Sequence, residues 1–390
     1  MQIYLDYSAT TPMRTEAIAT LTQALTEQWG NPSSLHGWGQ RAALAMETAR
    51  LQVAGLIGGG AEGIVFTGSG TEADNLAVMG IAQRYERPQH LIISSVEHSA
   101  IAKPAQWLEQ QGWAVTRLGV DHFGQVDPAE LKAAIRPDTV LISIIWGQSE
   151  VGTVQPIAEL GQIAREAGVP FHCDAVQVAG RLPIDLATLP IDMLSLSSHK
   201  LYGPQGVGAL YVRPGVRLEP LVRGGGQEQG LRAGTQGVGA IAAFGTAAEL
   251  AAQELGTEIP RLQKLQSQLI DRLSRIPGLS LTGHPTERLP HHISFCLTDG
   301  LADDLTDDLG NDLADRGGRK LVYAMAKQGI AISAGSACNS GQSVPSKVLK
   351  AMGYSDAQAL SASRLTLVSQ RLKRSGASCR YAETASAHPG

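Results

Sequence analysis

The chain has 390 residues, of which 43% are hydrophobic and 17% are charged. Its 32 lysines and arginines and 36 aspartates and glutamates give a formal net charge of −4. This balance excludes a strongly basic nucleic-acid-binding protein and gives no reason to expect a membrane-surface protein. The start of the chain lacks the basic and apolar regions of a signal peptide, and no charge-free apolar run approaches about 18 residues. The sequence therefore predicts a cytoplasmic protein.

The cysteine content gives no sign of a disulfide-stabilised or zinc-binding protein. The four cysteines are too few and too scattered for a disulfide framework, and no CxxC pair is present. They are Cys173, Cys296, Cys338 and Cys379. Because Cys173 and Cys296 fall in apolar strand-like runs, we expect them in the core.

Helix-like and strand-like segments alternate from about residue 13 to 257. Apolar residues at helical spacing predict helices at 15–28, 40–57, 72–84 and 156–167. Short apolar runs predict strands at 63–67, 90–94, 115–118, 139–146, 169–173, 193–197 and 208–212. Continuously apolar strands separated by helices indicate an α/β fold with a mainly parallel sheet that is covered on both faces. Ligands bind such sheets at the carboxyl ends of the strands.

The pattern changes after about residue 258. A predicted helix at 261–275 precedes a predicted strand at 292–297, which indicates a smaller α+β unit. We therefore expect a large domain at 14–257 and a small domain formed by 1–13 and 258–367. The repeat ADDL–TDDL–GNDL predicts an exposed acidic insertion at 301–317, since the Gly and Glu of an EF-hand loop are missing. Residues 368–390 are polar and aperiodic, which predicts a poorly ordered tail.

The turn TGSGTEADN at 67–75 follows one predicted strand and opens a helix. Backbone N–H groups at a helix N-terminus favour a phosphate group. Gly68, Gly70 and Ala73 also fit the dinucleotide pattern G-x-G-x-x-A. By itself the turn therefore leaves a phosphate cofactor, a dinucleotide and a structural tight turn open.

A second group of residues favours pyridoxal phosphate (PLP) over a dinucleotide. Lys200 follows an apolar strand at 193–197, and Asp174 follows the strand at 169–173. A lysine amine can form a Schiff base with an aldehyde. PLP requires that imine, a carboxylate at its pyridine nitrogen and a phosphate site. Lys200, Asp174 and the turn at 67–75 supply all three from strand ends.

Two further residues are candidates for a catalytic role. His98 follows the strand at 90–94, where it either plays a structural part or lies flat on a cofactor ring. Cys338 lies in the Gly/Ser-rich segment ISAGSACNSG, which predicts an exposed loop. An exposed cysteine that loses its proton is a nucleophile.

Several ordered motifs make the chain resemble the NifS/IscS-type cysteine desulfurases of the class-V aminotransferase group. The motifs are LDYSATTP at 5–12, GNPSSLH at 30–36, TGSGTEADN at 67–75, EH at 97–98, HCDAVQ at 172–177, SSHK at 197–200, RAGT at 232–235 and GSACNS at 335–340. The resemblance covers residues 1 to about 367, apart from the acidic insertion. It implies a PLP-dependent transferase of fold type I, with a seven-stranded, mainly parallel sheet in the large domain, a smaller α+β domain and a homodimeric assembly.

The resemblance also implies a role for each matching residue. Lys200 would form the Schiff base, and Asp174 would bind the pyridine nitrogen. Gln177 would contact the ring hydroxyl, and His98 would stack on the ring. The phosphate would be held by Gly70, Thr71, Ser197, His199 and, from the second subunit, Thr235.

The implied activity removes sulfur from L-cysteine to give L-alanine and a persulfide on Cys338. Lys200 would act as the general base, and Arg364 would bind the substrate carboxylate with its planar fork. The implied catalytic residues are thus Lys200, Cys338 and His98. The persulfide would pass to a sulfur acceptor or Fe–S scaffold protein. No intrinsic metal site is implied, although Cys338 is a candidate transient ligand of an Fe–S cluster.

The segment QSEVG at 148–152 departs from the Asn-Asn-Glu-x-Gly of the family. The second Asn contacts the cofactor or substrate there, and Ser149 is shorter. The sequence leaves open whether Ser149, Gln148 or a water makes this contact. Two other functions also stay open: a PLP-dependent lyase acting on cysteine, cystine or selenocysteine without a persulfide, and an inactive binding partner with an altered tail.

Overall fold

The computed structural model describes residues 2–298, 318–335 and 344–368. The predictions for Cys338, for the acidic insertion at 301–317 and for the tail after residue 368 lie outside these ranges. Within them, no helix combines the length and the apolar character needed to cross a membrane.

The described helices are numbered in chain order. They are α1 (Thr15–Glu27), α2 (Gly37–Ile57), α3 (Gly70–Ala82), α4 (Ser99–Gln110), α5 (Pro128–Ala134), α6 (Ile157–Glu166), α7 (Val238–Leu273), α8 (Gly318–Lys327), α9 (Lys347–Ala351) and α10 (Asp356–Ser361). The described strands are β1 (Ile3–Tyr4), β2 (Ile64–Thr67), β3 (His90–Ser94), β4 (Ala114–Leu118), β5 (Thr139–Ile145), β6 (Phe171–Asp174), β7 (Met193–Ser197), β8 (Gly208–Val212), β9 (Leu279–Leu281), β10 (His292–Leu297), β11 (Ile330–Ala331), β12 (Ser333–Ala334) and β13 (Ser363–Thr366).

The predicted seven-stranded sheet is confirmed. Its strand order is β2-β8-β7-β6-β5-β3-β4, and β8 alone among these seven runs antiparallel to its neighbours. Every residue of the six strands other than β4 is buried, as expected for a sheet with covered faces. β4 is one of the two edge strands, the other being β2, and it is only partly buried. The carboxyl ends of β3, β5, β6 and β7 therefore meet at one edge of the sheet.

Two element boundaries differ from the prediction at the site itself. Helix α3 begins at Gly70 rather than at residue 72, because the Ser69 side chain caps it by accepting from the backbone N–H of Glu72 at 3.1 Å. Strand β6 begins at Phe171 rather than at 169, and it includes Asp174 as its last residue. Both shifts place polar groups directly at the carboxyl ends of the strands.

The predicted start of the helix at 261–275 is wrong. Helix α7 begins at Val238 and runs without interruption to Leu273, with Pro260 inside it. Its first half is rich in alanine and glycine and packs closely on α1 and α2. Because this helix passes through the proposed domain boundary at residue 257, that boundary stays a prediction.

The remaining strands form two smaller sheets. An antiparallel sheet has the order β12-β13-β10-β9, and a short parallel pair joins β1 to β11. The pairing of Ile3 with Ile330 places the N-terminal segment beside the C-terminal part of the chain. The segment after β1 then runs along the edge of the large sheet, where Thr11 donates its backbone N–H to the carbonyl of His199.

Candidate active site

A cavity of about 380 Å³ lies at the carboxyl ends of β3, β5, β6 and β7, beside the first turn of α3. The structure brings ten of the predicted site residues to its wall. They are Gly70, Thr71, His98, Ser149, Asp174, Gln177, Ser197, His199, Lys200 and Arg364. Thr235 is exposed and is not part of this wall, and Cys338 lies outside the described residues.

Lys200 is held toward the cavity by the N-terminal segment. A short 3₁₀ turn (Ser198–Lys200) follows β7 and carries the lysine beyond the strand end. Its Nζ atom donates to the carbonyls of Ser8 and Ala9 at 2.6 and 2.8 Å. These bonds fix a primary amine in a half-buried position beside the other predicted cofactor ligands.

Asp174 and Gln177 occupy the wall that follows β6. Asp174 Oδ1 accepts from the backbone N–H of Val176 at 3.0 Å. Burial raises the pKa of Asp174, and the charges of His98 and Lys200 together with the Val176 N–H oppose that shift. Gln177 donates its side-chain amide to the Ser8 carbonyl at 3.0 Å, so it shares an acceptor with Lys200.

The turn at residues 67–75 is tightly packed against the sheet. A methyl group added at Gly70 would lie 2.9 Å from Val176 Cγ2 and 3.1 Å from Ser197 Cβ. A methyl group at Gly208 on β8 would lie 2.5 Å from the carbonyl carbon of Ser69 and 2.8 Å from the nitrogen of Gly70. Only glycine at these two positions lets the start of α3 approach the strands so closely.

Ser197 and His199 complete the polar group next to this turn. Burial and the nearby charge of Lys200 lower the pKa of His199 to about 4, so its ring is neutral at pH 7. Its Nδ1 atom lies 3.0 Å from the hydroxyl of Thr10. A helix N-terminus, a serine hydroxyl and a neutral imidazole can together donate hydrogen bonds to a phosphate.

His98 is the N-cap residue of α4. Its Nδ1 atom accepts from the backbone N–H of Ala100 at 3.2 Å. This bond fixes the plane of the ring where it lines the cavity. His98 therefore has a structural role as a helix cap, and its stacking on a cofactor ring stays a prediction.

The segment that departs from the family motif uses its side chains locally. Gln148 Oε1 accepts from the backbone N–H groups of Glu150 and Val151, and its amide donates to the Val96 carbonyl at 3.2 Å. Gln148 therefore stabilises the turn, because both polar atoms of its side chain bond to backbone groups. The Ser149 carbonyl accepts from Arg364 Nη1 at 2.8 Å and lies 3.0 Å from His292 Nε2.

Arg364 lies on β13 and its side chain is almost fully buried. Besides the bond to Ser149, its Nη2 atom donates to Asp6 Oδ1 at 2.8 Å. Its Nε atom is buried without a hydrogen-bond partner within the described ranges. The guanidinium is therefore oriented in advance at the cavity wall, with Asp6 balancing its charge.

Glu97 is a further cavity residue to which the sequence assigned no role of its own. Its Oε1 atom accepts from the Ser94 hydroxyl at 2.5 Å and from the Ile145 backbone N–H at 2.9 Å. Its Oε2 atom is buried and has no hydrogen-bond partner in the described part of the chain. Burial raises the pKa of Glu97 to about 8. The EH pair at 97–98 was the sequence signal that could have marked it.

We expect Glu97→Gln to make stability less dependent on pH. A carboxyl with a pKa of about 4.5 when unfolded and about 8 when folded stabilises the fold below pH 4.5, and this contribution is lost as the pH rises toward 8. Glutamine keeps the acceptor oxygen and is never charged. The difference between the midpoint temperatures of thermal unfolding of the variant and the wild type should therefore increase in favour of the variant as the pH rises from 5 to 9.

Thermal unfolding across this pH range measures the effect, with Glu86→Gln at an exposed position as the matched control. The linked free energy is at most about 5 kcal/mol. A difference between variant and wild type that stays constant with pH would contradict a protonated Glu97.

The residues around the cavity fit PLP. The cavity offers an oriented primary amine on Lys200, a buried carboxylate on Asp174 and a helix N-terminus at Gly70 and Thr71. These are the groups that an aldehyde, a pyridine nitrogen and a phosphate require. His98 adds a flat ring at the wall of the same space.

Comparisons with known proteins agree with this arrangement. The model of the aminotransferase class-V family matches residues 3–366. The chain is 44% identical over 352 residues to the cysteine desulfurase IscS of Methanosarcina thermophila, covering 90% of this chain and 83% of the relative. It is 41% identical over 368 residues to the IscS of Dictyoglomus turgidum, covering 94% and 89%.

Solved structures show the same likeness. A NifS-like protein superposes with a TM-score of 0.84 at 33% identity, covering 94% of both chains. SspA, solved in complex with cysteine, superposes with a TM-score of 0.80 at 34% identity, covering 94% of this chain and 99% of SspA. The family match, the relatives and the fold agree: the chain belongs to the class-V aminotransferase family, whose cysteine desulfurases depend on PLP.

Proposed function

We propose that this chain is a cysteine desulfurase that removes sulfur from L-cysteine and leaves L-alanine. The observation that carries the proposal is the single cavity that holds Lys200, Asp174, the start of α3 and Arg364 together. Relatives with 40 to 44% identity carry the name cysteine desulfurase, and the structural relative SspA was solved with cysteine.

Each residue has a distinct task in this proposal. When bound, PLP supplies an electron sink at the α-carbon of the substrate. Lys200 anchors the cofactor covalently and, once released, holds the proton taken from the α-carbon. Asp174 holds the ring nitrogen, and Gly70, Thr71, Ser197 and His199 hold the phosphate.

Arg364 and Cys338 act on the substrate in this proposal. Arg364 orients the substrate carboxylate with its planar fork. The Cys338 thiolate would attack the sulfur of the substrate, so that a sulfur–sulfur bond forms and the carbon–sulfur bond breaks. The electron pair of the broken bond stays with the substrate carbon, which then gains a proton. The persulfide is then passed to a sulfur acceptor or to an Fe–S scaffold protein in the cytoplasm, and Cys338 is a candidate transient ligand of the cluster. Cys173 is buried and forms no disulfide bond, which is consistent with a reducing compartment.

A homodimer is part of this proposal. Large apolar side chains are exposed around α1 and α2, and Leu35 is 93% exposed. The exposed residues are Ile18, Leu25, Trp29, Leu35, Trp38, Leu44 and Leu51. Several large apolar side chains exposed on neighbouring elements are typical of an interface with another protein. Thr235 would then reach the phosphate of the second subunit, which accounts for its place outside the cavity of its own chain.

The test is to incubate the PLP-loaded protein with L-cysteine and to measure alanine and protein-bound persulfide. The matched variant is Cys338→Ala. We expect the wild type to form both products, and the variant to lose persulfide and cysteine turnover on the order of 100-fold or more while keeping its cofactor. Alanine and free sulfide at the wild-type rate in the variant would instead indicate a lyase, and no alanine from the wild type would indicate an inactive binding partner.

A further inference from the structure

Asp74 is a buried carboxyl in the cavity to which the proposed reaction gives no task. It lies on α3, its residue is 1% exposed, and it lines the cavity together with Asp174. One carboxylate oxygen of each aspartate and one ring nitrogen of His98 lie within 4.8 Å of one another. Two carboxyl groups, both almost fully buried, therefore lie close together at the wall of the cavity.

The surroundings of Asp74 come from three elements. His172 on β6 places Nε2 3.8 Å from Asp74 Oδ1, and Ser195 on β7 hydrogen bonds to the carboxyl. Glu97 and His98 face it from the segment between β3 and α4. Asp74 Oδ1 has no hydrogen-bond partner among the residues described. An unpaired buried oxygen is costly if it carries charge.

His172 does not balance a charge on Asp74. Its two ring nitrogens lie 2.8 Å from the Ser143 hydroxyl and 2.9 Å from the Ser195 hydroxyl. Burial lowers the pKa of His172 to about 3, so the ring is neutral at pH 7. Glu97 adds a carboxyl rather than a cation.

Asp174 has the partners that Asp74 lacks. The Val176 N–H, His98 and Lys200 all favour its charged form. For Asp74, burial and the charge of Asp174 both raise the pKa well above its ordinary value, and Ser195 opposes this with a hydrogen bond. Two like charges this close in a buried space are strongly disfavoured, so the proton goes to the carboxyl without a cation.

We propose that Asp74 is a positioning residue that holds one proton at neutral pH, which leaves Asp174 as the charged carboxylate that meets the pyridine nitrogen. The inference rests on the proposed role of Asp174. The protonated Asp74 adds a hydrogen-bond donor beside Asp174 without adding a second negative charge. Its contribution to the reaction therefore acts through Asp174 and not by contact with the substrate.

Infrared difference spectroscopy of the PLP-loaded protein tests the proton directly. We expect the spectrum of wild type minus Asp74→Asn at pH 7 to contain the C=O stretch of a protonated carboxylic acid. The same subtraction with Asp271→Asn, which removes an exposed carboxylate on α7, should contain only carboxylate bands. Carboxylate bands in place of the acid band for Asp74 would overturn the proposal.

Cofactor affinity separates this role from a merely structural one. Asparagine is neutral and keeps a donor, so Asp74→Asn should bind PLP within about threefold of wild type and keep its visible band. Asp74→Ala should bind about tenfold more weakly or worse. Equal weakening in both variants would overturn the proposal. Asp174→Asn tests the proposed role of Asp174 separately. Wild-type affinity for PLP and an unchanged visible band in that variant would refute the role of Asp174 itself.

Discussion

Replacing Lys200 with alanine is expected to lower the rate of alanine production from cysteine on the order of 10⁴-fold. The variant loses both the amine that anchors the cofactor and the base that holds the α-proton. The Ser8 and Ala9 carbonyls also lose the donor that they share, at 2.6 and 2.8 Å. The readouts are alanine formation and the mass of the protein after borohydride reduction in the presence of PLP.

Wild-type protein should gain the mass of one reduced cofactor per chain, and Lys200→Ala should gain none. The matched control is Lys132→Ala, which removes an exposed lysine on α5. The role of Lys200 would be refuted by a variant that still acquires the cofactor covalently or that turns over cysteine at the control rate.

Replacing Arg364 with lysine is expected to lower kcat/KM for cysteine on the order of 100-fold, mainly through KM. Lysine keeps the positive charge but loses the planar fork that matches a carboxylate. It also cannot bond to the Ser149 carbonyl and to Asp6 with the spacing of Nη1 and Nη2. Alanine at this position should cost more, because the partly buried Asp6 would lose its ion pair.

Steady-state kinetics with cysteine measure this effect, and the visible band of the cofactor shows whether the site is intact. Arg275→Lys is the matched control, because Arg275 forms an exposed ion pair with Asp271 at 2.7 Å. Unchanged KM in Arg364→Lys with a bound cofactor would show that another group binds the substrate carboxylate.

Much of the large sheet could be predicted because its strands are short, apolar and fully buried. The predicted bounds of β3, β7 and β8 agree with the structure to the residue. The long helix α7 could not be predicted in full, because its first residues, VGAIAAFG at 238–245, include no polar side chain that would make a helical period visible. Packing on α1 and α2 stabilises that half of the helix, and a local sequence pattern does not reveal contacts with distant helices.

The site was predictable where residue type and strand position coincide. Lys200 follows the buried strand β7, and Asp174 is the last residue of the buried strand β6. The turn before α3 has the composition of an anion-binding turn. Glu97 and Asp74 were not assigned roles of their own, because acidic residues are common and only their burial among other carboxyls distinguishes them. Which partner balances each charge depends on contacts between distant strands.

The N-terminal segment joins the two halves of the proposed chemistry. Asp6 binds the guanidinium of Arg364, while the carbonyls of Ser8 and Ala9 bind the amine of Lys200. Only Tyr7 lies between Asp6 and Ser8, so one short stretch of chain holds both the proposed anchor of the substrate and the proposed anchor of the cofactor. A substitution that shifts this stretch would therefore disturb the contacts of Arg364 and of Lys200 together.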